Sequence, residues 1–363
     1  MATLELTKSD LSTPPTTPTQ RVLLIADDLT GACDAAAAFF PGRSVRVWLG
    51  PAPDGDNHDS VQAFNTDSRG LPPEDAAIAV AECALNSSSD ALLFKKLDSA
   101  GRGPIAAELL AAQYALNTDI ALLAPSFPVQ GRIVRDGVLH IHHDCGGYTQ
   151  LPLLSLFEPE HHPFIAVIDS RVDLDAALAS GKRIAICNAE TQEQLETFVR
   201  AATALPGRVL YAGASGLARA VAAVHHAAEI QPQPEPQVGL ATLFIIGTPH
   251  PVTQLQLLHL EAEHPEANLL LIRSEAEDAE VVRTRFTQSD PQSLVLSGGD
   301  TALRVLRALG ARSISLRGEI FPGIPWGIID GGLAHQRTVV TKSGGFGSSS
   351  TLSRILTMLS GQA

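Results

Sequence analysis

Two adjacent carboxylates, Asp27 and Asp28, follow an apolar run and precede a glycine in the segment RVLLIADDLTGACDAAAAFF, residues 21–40. Like charges repel each other and are costly to take out of water, so a structural role alone does not explain both at the end of a buried strand. A single Asp there is explained as an N-terminal helix charge. The pair predicts a catalytic site at the carboxyl end of the strand, where one carboxylate orients or accepts the proton of a substrate hydroxyl.

Basic and small polar residues follow the next predicted strands. Arg69 lies in FNTDSRG, and LLFKKLDSAGRGPI carries Lys96, Asp98, Ser99 and Arg102 between a strand and a helix. Arginine can hold a carboxylate through two hydrogen bonds, and donor-rich side chains suit a ligand with neighbouring hydroxyls. These five residues predict a binding site for a hydroxylated carboxylate.

Three features nearby leave alternatives open. Strand alternation sends Lys95 and Lys96 to opposite faces, so we expect only one of them to face the ligand. In LAPSFPVQGR, Gln130 and Arg132 either line the same crevice or close a loop bounded by proline. HIHHDC, residues 140–145, has the side-chain types of a metal site, but we favour a solvated hairpin tip, and the residues that bind a metal are left unassigned.

Two glycine-rich turns join strands to helices in the C-terminal third, at residues 297–301 (SGGDT) and 342–347 (KSGGFG). Glycine lets backbone N–H groups approach a phosphate, and the positive end of the following helix faces it. Two such turns at one sheet edge predict a nucleotide, although neither GxxxxGK[ST] nor a GxGxxG after a strand is present. The predicted nucleotide-binding residues are Thr248, Gly298, Gly299, Asp300, Thr301, Lys342, Gly344 and Gly345.

Short apolar strands and periodic helices alternate around these residues, which predicts an α/β fold with mostly parallel sheets. The stretch at residues 229–239, EIQPQPEPQVG, has the composition of a stiff exposed linker. We therefore expect a disordered tail over residues 1–20, α/β domains over 21–228 and 240–363, and a ligand cleft between the domains. A β-hairpin excursion is predicted between residues 132 and 153.

Composition and charge limit the kinds of partner that we expect the protein to bind. The 363 residues carry a net charge of -13 with a pI of about 5.3, which disfavours nucleic acid and anionic membranes as partners. Four cysteines without a CxxC pair fit a reduced compartment, and no stretch resembles a signal peptide or a membrane span. We expect a cytoplasmic protein that binds a small molecule, and a homo-oligomer is left open.

Seven motifs, in order and over nearly the whole chain from residue 21, resemble those of the four-carbon acid sugar kinase family: ADDLTGA, KKLDSAGRG, APSFPVQGR, GASGLA, GGDTA, GEIFPGIPWG and TKSGGFG. The resemblance implies an N-terminal acid-sugar-binding domain and a C-terminal nucleotide-binding domain. It further implies ATP-dependent phosphorylation of threonate, erythronate or an oxidised relative such as 3-oxo-tetronate, usually at the terminal hydroxyl. Mg²⁺ is expected because it accompanies ATP.

The same resemblance implies which residues contact each ligand. It implies substrate contacts at Asp27 or Asp28, at Arg69 and within residues 96–102. It implies ATP contacts near Thr248, within residues 298–301 and at residues 344–345.

The chain departs from the family pattern at two places. The family's DSTLRGN reads DSAGRGP at residues 98–104, and His250 replaces a hydroxyl residue in the turn GTPHP. These departures leave two alternatives open. One is a kinase of a different small hydroxy acid, and the other is a sensor that binds a sugar acid and a nucleotide without turnover.

Overall fold

The computed structural model describes residues 20–40, 42–52, 59–85, 91–142, 146–225, 235–239, 241–272 and 278–361. Of the predicted tail, only Gln20 lies within these ranges. Residues 229–234 of the predicted linker lie outside them. Residues 143–145 of the histidine-rich segment also lie outside it. No helix within the described ranges is long and apolar enough to cross a membrane.

Strands and helices alternate through the first half of the chain, as the apolar periodicity predicts. A small antiparallel excursion interrupts the alternation after β5. The elements are β1 (Val22–Ala26), α1 (Leu29–Ala37), β2 (Val45–Trp48), β3 (Val61–Asn65), α2 (Pro73–Leu85), β4 (Leu92–Lys96), α3 (Ile105–Leu116), β5 (Ile120–Ala124), β6 (Arg132–Arg135), β7 (Val138–His142), β8 (Tyr148–Pro152), β9 (Ile165–Ile168), α4 (Arg171–Ala179), β10 (Ile184–Cys187), α5 (Gln192–Thr203), β11 (Val209–Gly213) and α6 (Ser215–His225).

The second half repeats the alternation and adds an antiparallel pair of strands. Both predicted glycine-rich turns lie where a strand passes into a helix. The elements are β12 (Thr242–Ile246), α7 (Pro251–Glu263), β13 (Asn268–Leu271), α8 (Asp278–Ser289), β14 (Ser293–Ser297), α9 (Gly299–Ala308), β15 (Ser313–Phe321), β16 (Ile324–Asp330), β17 (Thr338–Lys342) and α10 (Thr351–Ser360).

One 14-stranded sheet runs through both halves in the order β13-β12-β14-β17-β16-β15-β2-β3-β1-β4-β11-β5-β10-β9. Most neighbouring strands are parallel, so the predicted α/β class is confirmed. The halves meet where β15 pairs antiparallel with β2, from Ser313 opposite Trp48 to Leu316 opposite Val45. The sheet continues across this pairing, and the division at residues 229–239 stays a prediction.

Helices cover both faces of the sheet, as the uninterrupted apolar sequence of β1 requires. Val22, Leu24 and Ala26 pack into one apolar core, whereas Leu23 and Ile25 pack into the core on the opposite face. This split follows from the two-residue period of a strand. Both faces of the central strands are therefore buried, and their carboxyl ends remain as the places for polar side chains.

The predicted hairpin excursion is confirmed as a separate antiparallel sheet of β6, β7 and β8. Its first turn is Asp136-Gly137, with φ values of 52° and 71°. A two-residue turn with both φ values positive matches the right-handed twist of the strands it joins, which is why Asp-Gly is favoured there. The third strand, β8, was not predicted.

Candidate functional site

A cleft of about 600 Å³ lies where strand ends from the two halves of the sheet meet. It contains most of the residues that the sequence predicted, from both groups. On the first-half side these are Asp28, Arg69, Lys96, Asp98, Ser99 and Arg102, and on the second-half side they are Thr248, Gly298, Gly299, Asp300, Thr301, Gly344 and Gly345. Arg132 also lines the cleft, whereas the predicted residues Asp27 and Lys342 do not.

Arg69 compensates the paired carboxylates that made residues 27–28 unusual. Its Nε donates to Asp27 Oδ2 at 2.6 Å and its Nη2 donates to Asp28 Oδ1 at 2.8 Å. Asp98 Oδ1 lies 3.5 Å from the same Nη2. Burial lowers the pKa of Arg69, but the three carboxylates outweigh this and raise it above its ordinary value. The Nε–Nη2 edge of Arg69 is therefore engaged by protein carboxylates and orients them.

Asp28, not Asp27, faces the cleft. Asp28 is the N-cap of α1, and its Oδ1 accepts a hydrogen bond from the Gly31 backbone N–H at 2.9 Å. Its Oδ2 accepts from Thr30 Oγ1 at 2.7 Å. An N-cap residue has extended backbone geometry and a side chain that turns back over the helix end, which fixes the direction of this carboxylate.

Asp98 organises the loop that follows β4. It accepts two hydrogen bonds from the Arg102 guanidinium, at 2.9 and 2.8 Å, and one from the Arg102 backbone N–H at 3.0 Å. Burial raises the pKa of Asp98, but the bonds and charges of Arg102 and Arg69 lower it well below its usual range. In the same loop Gly101 has φ +75°, and Leu151 of β8 lies against it where a side chain would stand. The antiparallel sheet of β6, β7 and β8 thus packs onto the DSAGRG segment, which differs from the family motif.

The two lysines at the end of β4 separate as the alternation predicts. Lys96 lines the cleft, where its Nζ donates to the Leu97 carbonyl at 2.7 Å. Lys95 is fully buried on the other face and pairs with Glu108 of α3 at 2.8 Å. Glu108 also accepts a hydrogen bond from Ser68 at 2.5 Å. This buried pair therefore connects α3 to the residue that precedes Arg69.

Replacing Glu108 by glutamine is expected to destabilise the fold by about 3–5 kcal/mol, because it leaves the buried Lys95 charge without its partner. Glu190→Gln is the matched control, since the side chains of Glu190 and its partner Arg135 are 37% and 55% exposed. An exposed pair contributes up to about 1 kcal/mol. Urea unfolding of both variants measures the difference, and equal small losses would contradict the structural role of the Lys95 pair.

The glycines on the second-half side allow close approaches that a side chain would block. A Cβ on Gly344 would lie 2.6 Å from Thr248 Oγ1, and one on Gly299 would lie 2.4 Å from Asp28 Oδ2. Gly298, with φ +105°, turns the chain into α9. Bare backbone at a helix start is the arrangement that binds phosphate, so Gly298 and Gly299 at the start of α9 fit the phosphates of a nucleotide, and Gly344 adds bare backbone in the loop between β17 and α10.

Lys342 lies beneath the second glycine-rich loop instead of facing the cleft. Its Nζ is fully buried and donates to Ser343 O at 2.9 Å, Thr253 Oγ1 at 3.1 Å and Phe346 O at 3.3 Å. Burial lowers the pKa of Lys342 to about 7, and the charged form of the amino group has the three hydrogens that these bonds use. The sequence predicted a cation presented to the nucleotide; the structure places it where it holds the loop backbone.

Some cleft residues were not predicted from the sequence. Asp34 of α1 and Ser215 of α6 line the cleft, and the Ser215 hydroxyl donates to Asp34 Oδ2. The rings of Phe127 and Phe346 also line it and meet edge to face across the two halves, with centroids 6.2 Å apart. A signal for Asp34 was present, because it is an acidic residue inside the otherwise apolar run GACDAAAA. Ser215 lies within the motif GASGLA.

The buried carboxylate of Asp34 lowers the stability of the fold at neutral pH. Burial raises its pKa to about 6, although Lys96 and the Ser215 hydrogen bond oppose this. An unfolded Asp has a pKa of about 3.9, so the folded protein binds more protons between these values. Stability from this group is therefore expected to fall as pH rises from about 4 to about 6.

The Asp34→Asn variant is expected to lose this pH dependence and to exceed the wild type in unfolding free energy by up to about 3 kcal/mol at pH 7–8. Urea unfolding at several pH values from 4 to 8 measures it. Asp175→Asn is the control, because the Asp175 side chain is 49% exposed and its change is expected to stay below about 0.5 kcal/mol. Parallel pH curves for the wild type and Asp34→Asn would contradict the assignment.

Metal-ligating side chains do not gather in the described part of the chain: no three His, Cys, Asp or Glu residues there form a group that could hold an ion. Carboxylate oxygens do line the cleft, from Asp28 on one side and Asp300 on the other. Oxygen is the ligand that Mg²⁺ prefers. These two residues therefore suit a hard cation that arrives together with nucleotide phosphates.

Comparison with known proteins gives matches along most of the chain. Residues 22–173 match the family model of a sugar-binding N-terminal domain, and residues 186–352 match that of a nucleotide-binding C-terminal domain. A D-threonate kinase from Bordetella bronchiseptica is 30% identical over 91% of this chain and 95% of its own. A D-erythronate kinase from Heliobacterium modesticaldum is 24% identical over 90% of this chain and 94% of its own.

A solved structure shares the fold. A Salmonella typhimurium protein superposes with a TM-score of 0.72 and 19% sequence identity, over 93% of this chain and 98% of that one. The two matched domains follow each other in the order that the sequence motifs implied. On these matches and on the identity to the threonate kinase, the chain belongs to the four-carbon acid sugar kinase family.

Proposed function

We propose that the protein transfers the γ-phosphoryl group of ATP to the terminal hydroxyl of a four-carbon sugar acid such as threonate, erythronate or 3-oxo-tetronate. The observation that supports this most directly is the contact between Asp28 and the start of α9, where a Cβ on Gly299 would lie 2.4 Å from Asp28 Oδ2. A hydroxyl held by Asp28 would therefore meet a phosphoryl group held at the α9 N-terminus. Phosphoryl transfer depends mainly on this kind of positioning and on charge neutralisation.

In this proposal Asp28 accepts or orients the proton of the attacking hydroxyl. Arg69 fixes Asp28 and is itself held by Asp27 at 2.6 Å, so Asp27 acts by positioning. Lys96 and Arg102 supply positive charge on the acceptor side, where they neutralise the substrate carboxylate or the transferred group. The side chain of Arg102 is 66% exposed and can turn toward a ligand from its bond to Asp98.

The nucleotide would lie along the second-half wall. Its phosphates would meet the bare backbone at residues 298–299 and 344–345, with Thr248 and Thr301 supplying hydroxyls and Lys342 supporting the second loop from below. Mg²⁺ bound with ATP would neutralise charge on the β- and γ-phosphates. Asp300 and Asp28, which both line the cleft, would hold it.

For the domain division we propose residues 21–228 as the acid-sugar-binding part and 240–363 as the nucleotide-binding part. The matched nucleotide-binding model begins earlier, at residue 186. However, β10 pairs with β5 and β9, and β11 pairs with β4 and β5, so residues up to α6 complete the first half of the sheet. This pairing supports the later boundary.

The purified protein, incubated with ATP, Mg²⁺ and a panel of four-carbon acids, is expected to release ADP with at least one acid above the rate without acid. A coupled ADP assay measures this, and mass spectrometry locates the phosphate on the product. Binding of an acid and a nucleotide without ADP release would favour a sensor. ADP release only with other hydroxy acids would favour a kinase of different specificity.

A further inference from the structure

A buried polar corner of the cleft has no role in the phosphoryl transfer described above. It is formed by Asp34 of α1, Ser215 at the start of α6, and the ring of Phe346. Asp34 and Phe346 both border Gly323, because a Cβ there would lie 2.8 Å from the ring and 3.6 Å from Asp34 Oδ1. We refer to Asp34, Ser215 and Phe346 as the Asp34 corner.

One oxygen of Asp34 lacks a donor. Oδ2 accepts a hydrogen bond from the Ser215 hydroxyl, whereas the buried Oδ1 receives none from any residue in the described ranges. Asp34 as a whole is only 5% exposed. A buried carboxylate oxygen without a hydrogen bond destabilises a protein, and such groups are rare in native structures. Asp34 lines the ligand cleft, so a small turn of its side chain would bring this unmet acceptor to a donor on the ligand.

The charges around the Asp34 corner restrict what that donor can be. Lys96 and Arg219 attract the Asp34 carboxylate and Glu319 repels it. Two carboxylates and two cations therefore already balance each other there, and a charged ligand group of either sign would upset that balance. A neutral O–H group satisfies the acceptor without adding charge, and the Phe346 ring offers apolar surface to the carbon that bears it.

The corner also lies on the acceptor side of the cleft. Gly31 stands between Asp28 and Asp34 in α1, and the Lys96 ammonium lies 3.1 Å from the point where a Gly31 Cβ would be. Along α1 the cleft therefore presents a carboxylate, an ammonium and a second carboxylate. A short chain with a carboxylate and several hydroxyls complements this order of charges.

We propose that Asp34, oriented by Ser215, accepts a hydrogen bond from a hydroxyl of the acid that is not phosphorylated, and so selects polyhydroxylated acids over their deoxy analogues. The inference rests on the proposed function and adds a specificity-determining residue to it. Removal of one recognised hydroxyl leaves the acceptor unpaired again, which is why sites of this type reject deoxy analogues strongly.

The test compares 2,3,4-trihydroxybutanoate with 3,4-dihydroxybutanoate and 2,4-dihydroxybutanoate, which keep the terminal hydroxyl and lack one other. For the wild type, one of the two analogues is expected to lose about 10- to 100-fold in kcat/KM, because a hydrogen bond to a charged group is lost. The kcat/KM of Asp34→Asn is expected to be about 10-fold below that of the wild type with the trihydroxy acid. With the analogue that the wild type rejects, the two kcat/KM values are expected to agree within about 3-fold. Ser215→Ala is expected to change selectivity in the same direction by a smaller factor.

Calorimetric titration of the same acids without ATP separates this inference from the proposed function. If no acid supports ADP release but the wild type binds the trihydroxy acid more tightly than one analogue and Asp34→Asn does not, the kinase proposal fails and the hydroxyl contact stands. The inference would be overturned if Asp34→Asn lost kcat/KM equally with all three acids. It would also be overturned if Asp34→Asn kept the selectivity of the wild type in both kcat/KM and binding affinity.

Discussion

Asp28→Asn is expected to lower kcat by about 10²- to 10⁴-fold, the contribution of a positioned general base. Asparagine caps a helix about as well as aspartate, so α1 keeps its first turn and the fold survives. The amide oxygen can still accept from the Gly31 backbone N–H, which Asp28 does at 2.9 Å. What is lost is the carboxylate that takes the hydroxyl proton, so the loss should appear in kcat more than in the KM for the acid.

Asp27→Asn is the matched comparison for this prediction. Asp27 is the chemically identical neighbour, shares Arg69 with Asp28 and does not line the cleft. We expect the Asp27→Asn variant to have a kcat less than about 10-fold below that of the wild type, because Arg69 is oriented less firmly. Steady-state ADP release over a range of acid concentrations measures both variants. Full turnover by Asp28→Asn, or a greater loss from Asp27→Asn, would show that proton handling is assigned to the wrong residue.

Gly299→Ala is expected to lower kcat/KM for ATP by at least about 100-fold, since a displacement of about 1 Å at reacting groups can cost that much. The added Cβ would lie 2.4 Å from Asp28 Oδ2 and 3.2 Å from Thr30 Oγ1. The new methyl group would push Asp28 aside and occupy the space in front of the first turn of α9. Because alanine favours helix over glycine, the substitution itself does not weaken α9.

Gly50→Ala is the control, because a Cβ at that position would meet no atom within 4 Å. Its kinetic constants are expected to equal those of the wild type. Thermal unfolding of both variants, together with ATP titrations, distinguishes a blocked site from an unfolded protein. If Gly299→Ala kept the turnover and the ATP dependence of the wild type, the close contact between Asp28 and α9 would not be needed for catalysis.

The residues of the site were found from sequence to the extent that local rules place them. Apolar periodicity identified β1, β4 and β14, and polar or glycine residues directly after a strand had to lie at the carboxyl edge of a parallel sheet. The same alternation predicted that only one of Lys95 and Lys96 would face the ligand. These features depend on the period of one strand and on the residue that ends it.

Side-chain direction beyond the strand ends required the tertiary structure. Lys342 follows the same local rule as Lys96 and yet turns beneath its loop, where the oxygens of Ser343, Thr253 and Phe346 surround it. Arg69 has the chemistry to grip a substrate, but the folded chain brings Asp27 and Asp28 to the same edge of its guanidinium. Competition among partners that are distant in sequence decides both cases.

The order of residues was enough to predict the α/β class, the glycine turns and the strand ends, because each depends on residues within one element and its turn. The folded chain was needed to see that Asp28 faces the cleft, that β15 pairs with β2 in one sheet, and that Ser215 contacts Asp34, which is 181 positions away in the sequence. Such contacts depend on how whole helices and strands pack, and no local period in the sequence encodes that packing.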